Sequence, residues 1–262
     1  MSKKRRKTAE ERRQYIFALR QLVSREVKRK YARSYLGIVW SVLNPLLSMA
    51  VLSMIFSTIF KRSIENYPIY FLTGQILWQL FSGATNSAMT ALVDNKSMLI
   101  KVKLSKQTFV LSRVLTAFTN FLYTFIAYIL MLIVFGTEIS WTMLLFPIAI
   151  IGLLMFALGL GLLLSVAYVF FGDIKYLYSV LLTLWMYMSA IFYPVDNITP
   201  IMQTIVGFNP VYAYIQFARE CMMYQTVPEA SCWLKVILWG VGMFVLGYRV
   251  FKDKENAVMQ KV

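Results

Sequence analysis

The sequence contains no histidine, only two cysteines and few acidic residues. Its 262 residues include Cys221, Cys232, 12 Asp and Glu, and no His. Without an imidazole, the chain cannot use histidine as a general base, a metal ligand or a proton carrier. Two cysteines alone cannot form a four-ligand zinc site. The sequence also lacks the GxxxxGK(S/T) phosphate loop. We therefore expect a chain that is not an ATPase and that carries no cofactor of its own.

Charged residues are scarce, and apolar residues are in excess. Only 15% of the residues are charged and 59% are hydrophobic, with a mean hydropathy of +0.61. A soluble domain usually carries about 25% charged residues. The 19 Phe, 16 Tyr and 6 Trp also suit a membrane, because Tyr and Trp favour its interfaces. This composition excludes a soluble enzyme, a disordered chain and a disulfide scaffold, and it predicts a polytopic membrane protein.

Six apolar stretches are long enough to cross a bilayer, which needs about 20 residues per helix. The predicted fold is an all-α membrane protein with six transmembrane helices in one domain, 38–251. The predicted spans are 38–60, 68–91, 108–135, 142–171, 176–193 and 232–251. The fourth contains Gly152, Gly159 and Gly161, and such small residues often let neighbouring helices approach closely.

The basic residues predict the orientation. Segments 1–37, 92–113, 172–175 and 249–262 hold 23 of the 27 basic residues but 7 of the 12 acidic ones. Lys and Arg accumulate on the cytoplasmic side, so we expect both termini, including a tail at 252–262, inside the cell. Because the positive charge flanks apolar segments, we expect it to meet anionic lipid in the cell membrane and not nucleic acid.

The segment 9–33 is too polar to span but has a helical apolar stripe. We interpret 1–37 as a basic tail followed by an interfacial helix. A solvated cytoplasmic helix is the alternative. The apolar stripe contains Leu19, Leu22, Val23, Val27 and Tyr31.

Two further segments are neither spans nor simple loops. The predicted cytoplasmic loop 92–107 mixes apolar residues with lysines, which favours a short amphipathic helix docked on a partner or on the bilayer over a plain connector. The predicted outer segment 194–231 contains two apolar stretches, 201–208 and 211–223, separated by Asn209-Pro210. Each stretch is too short to span, so we expect a re-entrant hairpin. An outer loop with two surface helices is the alternative. Cysteines 221 and 232 fall on this side, as a disulfide or as two buried thiols.

Four local motifs resemble one family. The residues from Leu36-Gly37 through Trp40 to Pro45 are similar to an LGxxWxxxxP pattern, and 95–103 resembles a coupling helix. The turn 170–174 resembles FFRDI, with Gly172 in place of Arg. Asn209-Pro210 with Arg219 resembles an outer hairpin. Together they resemble the permease subunit of type-2 ABC exporters, in the polysaccharide, O-antigen and teichoic-acid group.

The resemblance implies a homodimer beside two ATPase subunits that bind ATP and Mg. The assembly would move a lipid-linked glycan out of the cell. A drug or small-lipid exporter of the same superfamily is an alternative, and a membrane-embedded glycan-lipid transferase is another. The resemblance also assigns Asn209, Pro210 and Arg219 to the outer hairpin. It assigns coupling to the ATPase to Asn95, Met98, Leu99, Ile100 and Lys103.

Charged residues are nearly absent from the predicted spans, which argues against a proton-coupled transporter. Aromatic rings can lie against the apolar faces of sugars. Tyr178, Trp185 and Phe192 recur every seven residues, which predicts one shared helix face. An aromatic belt or ordinary helix packing would explain the same pattern. The candidates for a translocation path are Trp40, Phe56, Phe60, Tyr178, Trp185 and Phe192.

Overall fold

The computed structural model describes residues 2–32, 34–60, 64, 66–101 and 104–261, without the side chains of 2–11 and 57–60. This part of the chain contains α-helices and no strand, which confirms the predicted all-α class. Two short 3₁₀ helices, Trp141–Leu145 and Val195–Asn197, connect longer elements. The α-helices are α1 (Ser2–Tyr31), α2 (Val39–Phe60), α3 (Tyr67–Asp94), α4 (Lys96–Lys101), α5 (Gln107–Val134), α6 (Phe146–Phe170), α7 (Ile174–Tyr187), α8 (Pro200–Gly207), α9 (Pro210–Met222) and α10 (Ala230–Lys261).

Helix α3 lies at the centre of the fold, packed against α2, α5, α6, α7 and α9. Its long apolar side chains, such as Phe71, Leu77 and Phe81, are buried. Because neighbouring helices surround it, α3 carries polar residues such as Gln75 and Gln79 without placing them in lipid.

Four stretches of the described chain are long and apolar enough to cross a membrane: Val39–Phe56, Gln107–Val134, Trp141–Phe170 and Ala230–Lys261. Two of the predicted spans fall on other helices. The central α3 is interrupted by polar residues. Helix α7 has 14 residues and is therefore about 21 Å long, shorter than a bilayer core. The six-span count stays a prediction.

Glycines allow α6 and α10 to cross with their backbones in contact. A Cβ on Gly247 would lie 2.0 Å from the Gly159 carbonyl oxygen, and a Cβ on Gly159 would lie 2.3 Å from the Met243 carbonyl oxygen. Further along, a Cβ on Gly240 would lie 3.0 Å from the Gly152 carbonyl oxygen. The predicted role of small residues in close packing is confirmed, with α10 as the partner of Gly152 and Gly159 and α3 as the partner of Gly161.

Helix α7 stops at Tyr187, before the end of the predicted fifth span at residue 193. The chain then follows an irregular path through residues 188–194. Pro194 disfavours helix in the residue before it, and side chains of other helices bind the carbonyls of this segment. Phe192 therefore does not extend the helical stripe that begins at Tyr178.

The two predicted helices of the hairpin are confirmed as α8 and α9. The Asn209 side chain caps α9 by accepting from the backbone N–H groups of Val211 and Tyr212, at 2.9 and 3.4 Å. Helix α9 is largely buried among α3, α6 and α10, whereas α8 is mostly exposed. Cys221 and Cys232 are both buried free thiols, so the disulfide alternative is not realised.

Helix α10 continues through the predicted C-terminal tail as far as Lys261, while the end of the last span near residue 251 stays a prediction. Phe251 and Val258 are buried on the extension, and Lys106 Nζ forms an ion pair with Glu255 Oε1 at 3.0 Å. The extension is helical because its apolar residues pack on the domain.

Candidate functional site

A polar groove with a volume of about 740 Å3 lies between α1, α2, α3 and α5. We call it the polar groove. Eight hydroxyl and amide side chains of α2, α3 and α5 contribute to its lining, together with charged and apolar residues, and Trp40 lies at its wall. Hydroxyl and amide groups donate and accept hydrogen bonds without adding charge. The uncharged polar lining consists of Ser41, Asn44, Gln79, Ser82, Ser87, Thr116, Asn120 and Thr124.

The groove keeps its shape because side chains tie α1, α2 and α5 together. Pro45 has no N–H for the Ser41 carbonyl four residues before it, and Thr124 Oγ1 donates to that carbonyl at 3.0 Å instead. The Tyr31 hydroxyl donates to Asn120 Oδ1 at 2.8 Å and also pairs with Ser41 Oγ. Tyr31, predicted on the apolar stripe of the interfacial helix, thus joins three helices.

A charge network lies at the end of the groove where α1 packs on α5. Glu26 is 5% exposed and forms ion pairs with Arg113 and with Arg25 Nη2, the latter at 2.8 Å. Arg113 Nη2 also pairs with Asp94 Oδ2 at 3.0 Å. Because Arg29 and Lys30 line the same end, this mouth of the groove is positively charged.

Sequence reasoning missed Glu26 and Arg113, although one signal was available. Glu26 stands four residues after Leu22 and beside Val27, so it falls on the apolar stripe of α1. A carboxylate on a buried stripe requires a cation from another element. Leu22 is buried, and Leu19, Val23 and Val27 are half-buried, so this stripe packs on the protein itself.

Helix α4 confirms the predicted short helix in the loop 92–107. Asn95 donates to the Ala91 carbonyl oxygen at 2.8 Å, and its Oδ1 accepts from Arg25 Nη2 at 2.5 Å. Arg25 Nη1 also donates to Met98 Sδ at 2.8 Å. Leu99 is 6% exposed and Ile100 is 68% exposed. Of the apolar residues assigned to coupling, Ile100 is thus the freest to meet another protein; Lys103 lies outside the described residues.

The aromatic stripe of α7 faces the interior of the subunit. The Tyr178 hydroxyl donates to Thr85 Oγ1 at 2.6 Å. Trp185 Nε1 donates to Asn209 Oδ1 at 2.8 Å, and its ring packs edge-on against Phe81 with centroids 5.1 Å apart. Tyr178 and Trp185 share one face, as their spacing predicted, and both tie α7 to its neighbours.

The other aromatic candidates lie apart from this stripe. Phe192 stacks on Phe71 with centroids 5.8 Å apart, beyond the end of α7. Phe56 is half-buried beside Tyr67, and the Phe60 side chain lies outside the described residues. Of the five candidates whose side chains are described, only Trp40 lines the polar groove. A path through these residues stays a prediction.

The fold and these sequence features define a membrane transport protein. Residues 18–223 match the ABC-2 type transporter family, and the chain belongs to that family. The match covers α2 through α9 and the C-terminal part of α1 from residue 18, so it includes the polar groove, the charge network and the hairpin.

Several characterised proteins are similar over most of their length. The O-antigen export system permease protein RfbA of Myxococcus xanthus is 26% identical over 95% of this chain and 96% of that protein. A protein of the same name from Klebsiella pneumoniae is 29% identical over 80% of this chain and 82% of its own length. The polysialic acid transport protein KpsM of Escherichia coli is 23% identical over 91% of this chain and 93% of its own.

Proposed function

We propose that this chain is the membrane-spanning permease subunit of an ABC exporter that moves a lipid-linked polysaccharide across the cytoplasmic membrane. The observation that carries this proposal is the near full-length similarity to permeases named for O-antigen and polysialic acid export. The polar groove supports it, because hydroxyl and amide side chains can exchange hydrogen bonds with sugar hydroxyls.

The proposal is tested by deleting the gene and restoring it on a plasmid. We expect deletion to remove the surface polymer, to leave its lipid-linked form inside the cell, and to be reversed by the plasmid. Immunoblots of intact and broken cells measure both pools. Normal surface polymer in the deletion strain, together with altered export of a small lipid or drug, would contradict the proposal and favour the drug or small-lipid exporter.

The working assembly contains two copies of this chain and two ATPase subunits, which bind ATP and Mg. An apolar exposed face of α7 supports a further partner in the membrane, since Leu177, Val180, Leu181 and Leu184 all point away from the subunit. A second copy covers part of this face in the proposed assembly, and lipid covers the rest.

The six membrane crossings are α2, α3, α5, α6, α7 and α10. Helix α7 completes its crossing through the irregular segment 188–194, whose carbonyls have hydrogen-bond partners on other helices. Irregular backbone is stable at membrane depth only when its polar groups are satisfied. The distribution of Lys and Arg supports cytoplasmic termini.

Thiol labelling tests this orientation. Both native cysteines are buried and can be replaced by Ala, and single cysteines are then introduced at Thr226 and Ser97, which are both exposed. In intact cells an impermeant maleimide should label position 226 and not position 97, and both positions should react after lysis. Labelling of position 97 alone in intact cells would show that the orientation is the opposite of the proposed one.

Ile100 tests the docking of the ATPase. Because Ile100 is 68% exposed, Ile100→Asp should leave the permease folded and reduce ATPase co-purification by about tenfold, as expected for loss of an apolar anchor. The matched control is Ile139→Asp, at a residue that is 85% exposed and that lies after α5, on the predicted opposite side. Equal ATPase recovery with both variants would show that α4 does not contact the ATPase. Leu99→Asp is less informative, because Leu99 packs within its own subunit.

A further inference from the structure

The irregular segment after α7 is held by side chains from α3. The Tyr67 hydroxyl donates to the Phe192 carbonyl oxygen at 3.0 Å. The Tyr70 hydroxyl lies 2.8 Å from the Tyr193 carbonyl oxygen and 3.3 Å from that of Ala190. These carbonyls lie beyond the helical hydrogen-bond ladder, so the tyrosines supply the donors that a continued helix would have supplied.

Arg219 of α9 holds the same segment from another side. Its Nη1 donates to the Ala190 carbonyl oxygen at 3.0 Å, and its Nη2 lies 3.3 Å from the Ile191 carbonyl oxygen and 3.2 Å from that of Tyr70. The guanidinium carbon lies 3.4 Å from the centroid of the Tyr70 ring. One planar group thus joins three backbone carbonyls and an aromatic face, which a lysine ammonium cannot reproduce.

This arginine is a buried cation without a carboxylate partner among the described residues. It is 3% exposed, and its Nε has no hydrogen-bond partner within the described chain. Gly74 provides the room, because a Cβ there would lie 3.1 Å from Arg219 Nη2. A buried charge is unfavourable unless its surroundings are polar. The carbonyl oxygens of the segment are therefore what stabilises Arg219, and Arg219 in turn stabilises the segment.

The carbonyl that Arg219 and Tyr70 share belongs to a strained residue. Ala190 has φ of 47° and is completely buried. Residues with a Cβ avoid this left-handed region, and they stay there only where the surroundings hold them. Ala190 also lies between α7 and the hairpin α8–α9, so its conformation sets how the hairpin continues from α7.

Asn209 fixes the neighbouring part of the same junction. Its Nδ2 donates to the Met188 carbonyl oxygen at 2.9 Å and lies 3.0 Å from Ser189 Oγ. Its Oδ1 accepts from Trp185 on α7 and caps α9. The end of α7, the start of α9 and the strained residue are therefore joined through side chains and not through helical backbone.

We propose that Arg219 is a positioning residue for transport, which locks a strained hinge at Ala190 and so keeps α7 and the hairpin α8–α9 in the geometry that export requires. This inference rests on the proposed export function. Release would leave the buried Arg219 cation without its carbonyl partners, which opposes release, whereas the left-handed strain at Ala190 favours it.

The test combines Arg219→Lys with a change that removes the strain. Arg219→Lys keeps the charge but cannot bridge the three carbonyls. Ala190→Gly makes the left-handed conformation readily accessible. The matched control is Gln225→Gly, because Gln225 is the other non-glycine residue with positive φ in the described chain, at 56°. Hydrogen exchange of the 188–193 amides and exported polymer per inserted permease are measured for each variant.

We expect Arg219→Lys to accelerate exchange at 188–193 and to reduce export, each by about tenfold, the effect of losing charge-assisted hydrogen bonds. Adding Ala190→Gly should recover about fivefold of the export, because it removes the left-handed penalty. Adding Gln225→Gly should recover nothing. Unchanged exchange in Arg219→Lys, or equal recovery by both glycines, would overturn the lock.

If Arg219→Lys does not accumulate in the membrane, Tyr70→Phe provides the second variant. It removes the hydroxyl that binds the Ala190 and Tyr193 carbonyls and keeps the ring under the guanidinium. Exchange should then rise at 190–193 by about threefold, and unchanged exchange would refute the lock. If the proposed export function is wrong, even the wild-type chain exports no polymer. The hydrogen-exchange rates still test the lock in that case, because they do not depend on export.

Discussion

Gly247→Ala should strongly destabilise the permease domain. The new Cβ would lie 2.0 Å from the carbonyl oxygen of Gly159, and backbone atoms cannot move aside as a flexible side chain can. We expect a loss of about 3 kcal/mol in the free energy of unfolding, at the upper end for overpacking, because α6 and α10 must separate along their crossing. Thermal unfolding of the purified protein, followed by size-exclusion chromatography, measures the loss.

Gly242→Ala is the matched control on the same helix. Nothing lies within 4 Å of a Cβ built at Gly242, and alanine favours helix over glycine by about 1 kcal/mol. This variant should melt at the wild-type temperature or slightly above it. If Gly247→Ala melted with Gly242→Ala, the close crossing of α6 and α10 would be wrong.

The second large effect is expected at Arg113. Arg113→Met leaves Glu26, which is 5% exposed, with Arg25 as its remaining ion-pair partner, and it removes the cation beside Asp94. Breaking a buried pair in this way costs about 3 kcal/mol. Helix α1 should then separate from α5, which limited proteolysis of α1 and the melting temperature both report.

Two variants separate the loss of a pair from the loss of a side chain. Glu26→Leu combined with Arg113→Met removes both charges and should recover most of the stability. Lys106→Met breaks the partly exposed pair with Glu255, whose side chains are 28% and 29% exposed, and should cost about 0.5 kcal/mol. Equal losses for Arg113→Met and Lys106→Met would show that the network is ordinary surface charge.

Local signals explain which parts of the fold the sequence predicts. The hairpin helices were predicted closely because Asn209-Pro210 carries its own start signal, an N-cap followed by a proline. The end of α7 was missed because its determinants, Tyr70 and Arg219, are distant in sequence and act on carbonyls that any residue possesses. Composition predicts the all-α membrane class. It does not predict the central position of α3, because the polar residues of this helix are tolerated only through the packing of its neighbours.

The site was predictable only in part for the same reason. The loop 92–107 was rightly expected to form a helix, but three consecutive apolar residues do not reveal that Leu99 turns inward and Ile100 outward. The pair of Glu26 and Arg113 joins positions 87 residues apart, and no local pattern encodes that distance. The glycines of α6 predicted close packing without naming α10 as the partner.

The unbroken run of α10 has a practical consequence for imaging this protein. The helix has 32 residues and is therefore about 48 Å long, and Val258 anchors its last turns to the domain. A second protein domain fused through a continuous helix after Lys261 would be held in a fixed orientation relative to α10. Such a fusion would give a small, nearly featureless membrane domain a rigid marker by which single particles can be aligned.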